Sequence, residues 1–241
     1  MPGFLGYPAR RPDWIRILII GGILNAIPIA NIIALGYYME TMKGAVRGET
    51  APPGWANPGR KFVLGAALLG QCIVYLVIPA AAALIMTLKL APFTTWYLAP
   101  RLMKGIGLSF TPADIGMYQP PEPSLLLDPL LLCATAVFLV TGLGVTYLLP
   151  MAAVNLAAQR TPEGAFHLPA IWGRVRRAGR PYRNAVSGYF LWFFLICLVM
   201  AFGFAAYLIG SVVLFYLSTG YFYHFGELYA QSGESAIRNG G

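Results

Sequence analysis

The hydrophobic positions of the chain are grouped into four long runs that contain no Asp, Glu, Lys or Arg. These runs cover residues 17–39, 62–88, 130–159 and 184–226. A helix needs roughly 20 apolar residues to cross a bilayer, so each run can form at least one span. The fourth run is about twice that length. It therefore predicts two spans, and Gly203 and Gly210–Ser211 mark the turn between them.

The composition also indicates a chain embedded in a membrane. Hydrophobic residues make up 58% of its 241 residues and charged residues only 11%, whereas a soluble domain averages about 25% charged residues. The sequence therefore predicts an all-α, polytopic helical membrane protein that forms a single integral membrane domain over residues 1–241. We expect about five or six hydrophobic helical segments, of which four are full spans and the first is re-entrant or kinked.

A proline interrupts the first hydrophobic run near its centre. In the sequence "ILNAIPIANII", Pro28 lies between Asn25 and Asn31. Proline inside a helix removes a backbone hydrogen bond and kinks or ends the helix. The run therefore either crosses the membrane once as a kinked span, or enters and returns as a re-entrant pair. The two asparagines are predicted to cap or hydrogen-bond the backbone groups that the proline frees.

The distribution of basic residues favours the re-entrant arrangement. Lys and Arg are enriched on the cytoplasmic side of membrane proteins. If the first run returns, 14 basic residues share one side and 3 lie in the loop of residues 89–128; if it spans, the split is 11 to 6. We predict a prokaryotic cytoplasmic membrane location, with the basic loops and the C-terminus cytoplasmic. The Pro-rich loop of residues 89–128 is predicted to be extracytoplasmic.

Two amphipathic stretches are predicted to lie on the cytoplasmic membrane surface. Residues 169–180 place Trp172 on an apolar arc, and the opposite arc carries Arg174, Arg176, Arg177 and Arg180. Residues 35–47 place Lys43 and Arg47 opposite a second apolar arc. A basic face opposite an apolar face is typical of interfacial helices, and Trp is common on the apolar one. We expect both stretches to bind anionic lipid head groups, or to dock a partner protein.

The sequence carries no recognisable catalytic motif. His224 lies near the end of the last hydrophobic run, three residues before Glu227, and this spacing puts both on one helical face. It is a candidate axial ligand for haem or chlorophyll. The alternative is a histidine of the interfacial aromatic belt, paired with the nearby carboxylate. We otherwise expect no cofactor and no metal.

Two functions remain open from the sequence. The absence of catalytic motifs favours a non-enzymatic accessory or scaffold subunit of a larger membrane complex, for example a respiratory or photosynthetic one. Its partners would be membrane lipids and other membrane subunits, and not nucleic acid. The alternative is a transporter or channel-like protein for a small solute or lipid. The break at Pro28 and the Asn and Gln side chains at membrane depth favour this alternative.

The most specific segment of the chain is "DWIRILIIGGILNAIPIANIIALGYYMETMKGAVRGE" at residues 13–49. Weaker matches are "PPGW" at residues 52–55, "PEGAF" at 162–166 and "GELYAQ" at 226–231. Together these segments resemble a family of uncharacterised bacterial and archaeal multi-pass membrane proteins, classed as a domain of unknown function. The resemblance implies a compact bundle of about six hydrophobic helical segments. It implies no activity and no site residues.

Overall fold

The computed structural model describes residues 4–93, 128–159 and 162–238, and within these ranges the chain is helical and contains no strand. A short 3-10 turn precedes seven α-helices in this part of the chain. They are the turn Tyr7–Arg10, α1 Trp14–Ala26, α2 Asn31–Val46, α3 Pro58–Phe93, α4 Pro129–Gln159, α5 Pro162–Phe166, α6 Leu168–Met200 and α7 Phe204–Arg238. The predicted all-α fold is confirmed.

Four helices in the described part of the chain are long and apolar enough to cross a membrane. They are α3, α4, α6 and α7, and the helical stretches that qualify are 30 to 33 residues long, each with an apolar window of 18 residues. At about 1.5 Å per residue they exceed the roughly 30 Å of a bilayer's hydrocarbon core. Helix α1, with 13 residues, is too short to cross alone. The chain thus has the fold of a multi-pass helical membrane protein, with four helices that could cross the membrane and a first segment of a different kind.

The first hydrophobic run forms a helical hairpin. Helix α1 ends at Ala26, the chain turns through residues 27–30, and α2 begins at Asn31. Ile17 from α1 and Tyr37 from α2 pack in one core cluster with Phe215 of α7. Because Ile17 and Tyr37 lie on opposite sides of Pro28 in sequence, the chain must reverse direction at the turn. The structure therefore agrees with the re-entrant arrangement and not with a single kinked span.

The fourth hydrophobic run also divides into two helices, as predicted. The turn between α6 and α7 ends at Gly203, whose φ of 131° is open to glycine and rarely adopted by other residues. The prediction that Gly210–Ser211 contribute to this turn is wrong, because both residues lie inside α7. Gly210 instead makes room for Met200 of α6, whose side chain a Cβ would overlap.

The prediction that residues 35–47 lie on the membrane surface is also wrong for most of this stretch. It belongs to α2, and Tyr37, Tyr38 and Met42 are buried there. A Cβ at Gly36 would overlap the backbone carbonyl of Lys61 in α3. The two helices therefore cross backbone to backbone, a contact that small residues allow in membrane proteins. This close approach holds α2 inside the bundle.

The chain divides into two compact units. The first comprises Met1–Val74 and Thr146–Gly241, and the second is Tyr75–Val145. In the second unit, Lys89 Nζ lies 2.7 Å from Asp128 Oδ2, and Asp128 also accepts a hydrogen bond from the Leu130 amide. The Lys89 hydrogen bond, together with the Leu130 amide, lowers the pKa of the Asp128 carboxyl. Most of the predicted loop between these two residues lies outside the described part of the chain.

A candidate ligand groove with a cationic end

A partly open cavity of about 760 Å³ lies in the first unit. Helix α3 supplies much of its wall, at Arg60, Val63, Leu64, Ala67, Gln71 and Val74. Met39 and Lys43 of α2 face it, and Leu156 and Ala157 of α4 lie in the wall together with Phe166 of α5. We call this cavity the α2–α3 groove. Its volume falls within the roughly 300–1,000 Å³ that is usual for small-molecule sites.

The spacing of the wall residues on α3 determines the length of the groove. Apart from the adjacent pair Val63 and Leu64, they recur at intervals of three or four residues, so they occupy one face of the helix. From Arg60 to Val74 the helix rises about 21 Å at 1.5 Å per residue. Gly70 lies on the same face, and a Cβ there would have no neighbour within 4 Å. The groove is therefore long and narrow and follows the axis of α3.

Charged side chains are concentrated at the end of the groove where α3 begins. Lys61 Nζ lies 2.6 Å from Glu40 Oε2 and donates a hydrogen bond to the Ala56 carbonyl at 2.8 Å. The Arg60 Nε is 3.6 Å from the other Glu40 oxygen, and its side chain is 57% exposed. Lys43 follows Glu40 by three residues on α2, so it lies on the same side of that helix. Lys61 and Arg60 thus both contact Glu40, and Arg60 and Lys43 line this end of the groove.

The rest of the groove is apolar apart from Gln71, as far as its described lining shows. Gln71 is buried in the wall, with 2% of its surface exposed. Val63 and Val74, in contrast, are 66% and 56% exposed, so the groove opens on the side of the bundle. A molecule with one polar end and a long apolar body would match this lining. The sequence analysis had considered Gln71 only as one of several amides at membrane depth.

A buried polar network supports the part of the groove formed by α4 and α5. The Tyr229 hydroxyl donates to Asn155 Oδ1 at 2.6 Å, and Asn155 Nδ2 donates to the Gly164 carbonyl at 2.5 Å. The Arg174 guanidinium covers the Tyr229 ring at 3.8 Å from its centroid. The prediction that Arg174 lies on the exposed basic arc is wrong. Arg174 is half-buried, because its guanidinium makes a cation–π contact with Tyr229 of α7. Asn155 forms the interhelical hydrogen bonds expected of an amide in a membrane bundle.

The residues around the proline break have separate roles. Asn25 Nδ2 donates to the Ser211 carbonyl of α7 at 3.4 Å, and so does not cap the turn at Pro28. The Oδ1 of Asn31 is buried and has no hydrogen-bond partner among the described residues. The freed Ala26 carbonyl accepts a hydrogen bond from the Tyr207 hydroxyl at 2.6 Å. The predicted capping by the two asparagines is therefore wrong, and a tyrosine that lies 181 residues away performs it.

His224 lies apart from the groove lining. Its Nδ1 is 3.4 Å from Glu227 Oε2, and its ring stacks on Phe4 with centroids 5.2 Å apart. This arrangement agrees with the alternative of a belt histidine paired with a carboxylate. An axial ligand role for His224 stays a prediction.

The remaining predicted lipid contacts lie on the surface of the first unit. Trp172 is 46% exposed and the Arg176 guanidinium lies 5.8 Å from its ring centroid. Arg177 and Arg180 are exposed. Arg47 is also exposed, at the end of α2, and lies 3.9 Å from Glu49. Binding of these residues to lipid head groups stays a prediction.

The helices and the groove together define a multi-pass helical membrane protein with a lateral, amphipathic cavity. The chain belongs to the family described as "Protein of unknown function (DUF4013)", whose model matches residues 20–215. The predicted family resemblance is confirmed, and the matched range contains every described wall residue of the groove. The chain matches no curated protein and no solved structure.

Proposed function

We propose that this protein is a non-enzymatic membrane protein that binds an amphiphile, a lipid or a lipid-like solute, in the α2–α3 groove. The observation that carries this proposal is the groove itself, a cavity of about 760 Å³ with an apolar body and a charged end. Of the two functions left open by the sequence, the groove favours the solute- or lipid-handling protein. The side opening gives an amphiphile a path into the groove from the surrounding membrane.

The proposal includes an orientation in a prokaryotic cytoplasmic membrane. Because α1 and α2 form a hairpin, the N-terminal segment and the α2–α3 connection lie at the same end of the first unit. Contacts between the two support this, since Arg10 donates to the Thr50 carbonyl and the Tyr7 hydroxyl to the Ala51 carbonyl. The basic residues of these segments would then share the cytoplasmic side, as the positive-inside rule favours. The charged end of the groove would lie at that membrane surface.

Two matched glycine substitutions test binding in the groove. Gly70 and Gly142 are both helical glycines whose added Cβ would meet nothing within 4 Å, but only Gly70 lines the groove. The chain would be extracted with its surrounding lipid, delipidated in detergent, and weighed by native mass spectrometry. We expect wild type and Gly142→Phe to retain a bound lipid-sized molecule, and Gly70→Phe to lose it. The proposal would be contradicted if both variants retained the bound molecule. It would also be contradicted if wild type and both variants all lacked it.

The second candidate function, an accessory subunit of a membrane complex, is favoured by the second unit. Its parts of α3 and α4 leave large apolar side chains such as Ile78, Leu84 and Val140 more than half exposed. In a membrane, lipid or neighbouring helices would cover these faces. Gentle extraction through a tag on this chain, followed by native mass spectrometry and an absorption spectrum, distinguishes the two. A stoichiometric partner would support the subunit function, whereas a colourless assembly of this chain alone would contradict it.

A further inference from the structure

The charges of the groove identify the kind of amphiphile it selects. We propose that the α2–α3 groove binds an anionic phospholipid, with its phosphate between Lys43 and Arg60 and an acyl chain along α3 towards Val74. This assignment rests on the proposed function, because it requires that the groove binds an amphiphile at all. It adds the sign of the head group, its position and the direction of the chain.

The local charge balance favours an anion at this end. Glu40 is paired with Lys61, whose Nζ lies 2.6 Å from one of its oxygens. Arg60 Nε lies farther from Glu40, at 3.6 Å from the other oxygen. Its guanidinium carries further N–H donors, which suit the oxygens of a phosphate. Lys43 and Arg60 are the two charged side chains in the described lining of the groove, so this lining attracts an anionic head group more strongly than a neutral one.

The dimensions of the groove match a lipid of one leaflet. A leaflet contributes about half of the roughly 30 Å hydrocarbon core, or about 15 Å. The groove extends about 21 Å along α3 from Arg60 to Val74, which accommodates a head group and a chain of that depth. A free phosphate would occupy only the charged end and leave the apolar wall empty. The exposed Val63 and Val74 place this wall at the side of the bundle, where membrane lipid is present at high concentration.

Competition between two phospholipids tests the inference. Delipidated protein in neutral detergent would be mixed with equal amounts of phosphatidylglycerol and phosphatidylcholine, and the first bound lipid identified by native mass spectrometry. We expect wild type to prefer phosphatidylglycerol. Each cation near a membrane surface strengthens binding of an anionic lipid about five-fold, so Lys43→Gln with Arg60→Gln should lower the preference about 25-fold. An excess of glycerol phosphate, which has no acyl chain, should not displace the bound lipid.

Arg16→Gln with Arg183→Gln is the matched control, since it removes two exposed cations, one on α1 and one on α6, that do not line the groove. This control should keep the wild-type preference. If wild type binds both lipids equally, and Gly70→Phe removes both, the anionic selectivity is overturned and amphiphile binding stands. If wild type retains neither lipid, both the selectivity and the proposed function are overturned. If the control loses the preference as fully as the groove variant, the site lies elsewhere and the inference fails.

Discussion

Helix α2 and residues 168–178 of α6 are two helical stretches that carry basic residues and lie next to a long span in the sequence. The first is largely buried, whereas the second is exposed on one side. In α2, Tyr37, Tyr38 and Met42 are buried, and little of the helix reaches the surface. Residues 168–178 bury Ile171 and Val175 on one side and expose the opposite side. Gly179 then breaks the helix with a φ of 54°, so this stretch is separated from the span that follows.

The difference in burial follows from two features of each stretch. One is whether its charged side chains have ion-pair partners, and the other is how closely a neighbouring helix can pack against it. In α2, Glu40 is paired with Lys61 and Arg60, and Gly36 lets the α3 backbone come into contact. Residues 168–178 contain three arginines and no acidic residue, and only Arg174 finds an inward position, over an aromatic ring. A paired charge can be buried in the bundle, whereas an unpaired one costs several kcal/mol to bury. Whether a charged helical stretch is buried or exposed thus depends on the residues that pair with it and pack against it from other parts of the chain.

Glu40→Gln should give the largest effect, because it leaves the Lys61 ammonium buried without a carboxylate. The Lys61 side chain is only 2% exposed. Removing one partner of a buried ion pair costs about 3–5 kcal/mol. The free energy of unfolding, measured by SDS titration in mixed micelles, should fall by about 3 kcal/mol, since Glu40 is itself partly exposed.

A double variant separates the charge from the packing. Glu40→Gln together with Lys61→Met removes both charges and keeps similar side-chain lengths, so it should recover most of the lost stability. A double variant as unstable as Glu40→Gln would show that the pair is not what holds α2 among the other helices.

Gly36→Ala tests the other feature that places α2 inside the bundle. The added methyl would overlap the Lys61 carbonyl of α3, and overpacking of this kind costs about 1–3 kcal/mol. Gly70→Ala is the control on α3, because its Cβ would enter open space. The control should be neutral or slightly stabilising, since alanine favours a helix over glycine by up to about 1 kcal/mol. Equal losses from both would mean that α2 and α3 do not meet at Gly36.

The helices could be predicted from the sequence, but the groove could not. Charge-free runs and the basic clusters predicted four spans and favoured a returning first segment, because these features depend on local composition. The groove depends on which face of α3 is left uncovered. Residues 62–88 are apolar on all sides, so hydrophobic periodicity cannot distinguish a groove wall from a lipid-facing or packed surface. The burial of α2 was missed because it depends on two residues of α3. Lys61 pairs with Glu40, and Gly65 lies so close to α2 that a Cβ there would overlap the Ile32 carbonyl.

Arg174→Gln should have a smaller effect, confined to the inward arginine of residues 168–178. The change removes the guanidinium from the face of the Tyr229 ring and weakens a contact to the Tyr229 carbonyl at 3.5 Å. A cation–π contact of this kind is worth about 0.5–2 kcal/mol. We expect the free energy of unfolding to fall by about 1 kcal/mol. In a Tyr229→Leu background, Arg174→Gln should change the free energy of unfolding very little, because the ring it contacts is already gone. A full effect of Arg174→Gln in the Tyr229→Leu background would place its partner elsewhere.

Arg177→Gln should have the smallest effect, although it removes the same charge only three residues along the helix. Arg177 is exposed, and substitutions at such positions usually change stability by less than about 0.5 kcal/mol. Measuring it beside Arg174→Gln in the same micelles holds charge and side-chain size constant and varies only the side of the helix. A loss from Arg177→Gln that equals the loss from Arg174→Gln would mean that the bundle depends on both sides of residues 168–178. The contrast with α2 would then disappear, because both stretches would be held by contacts around their full circumference.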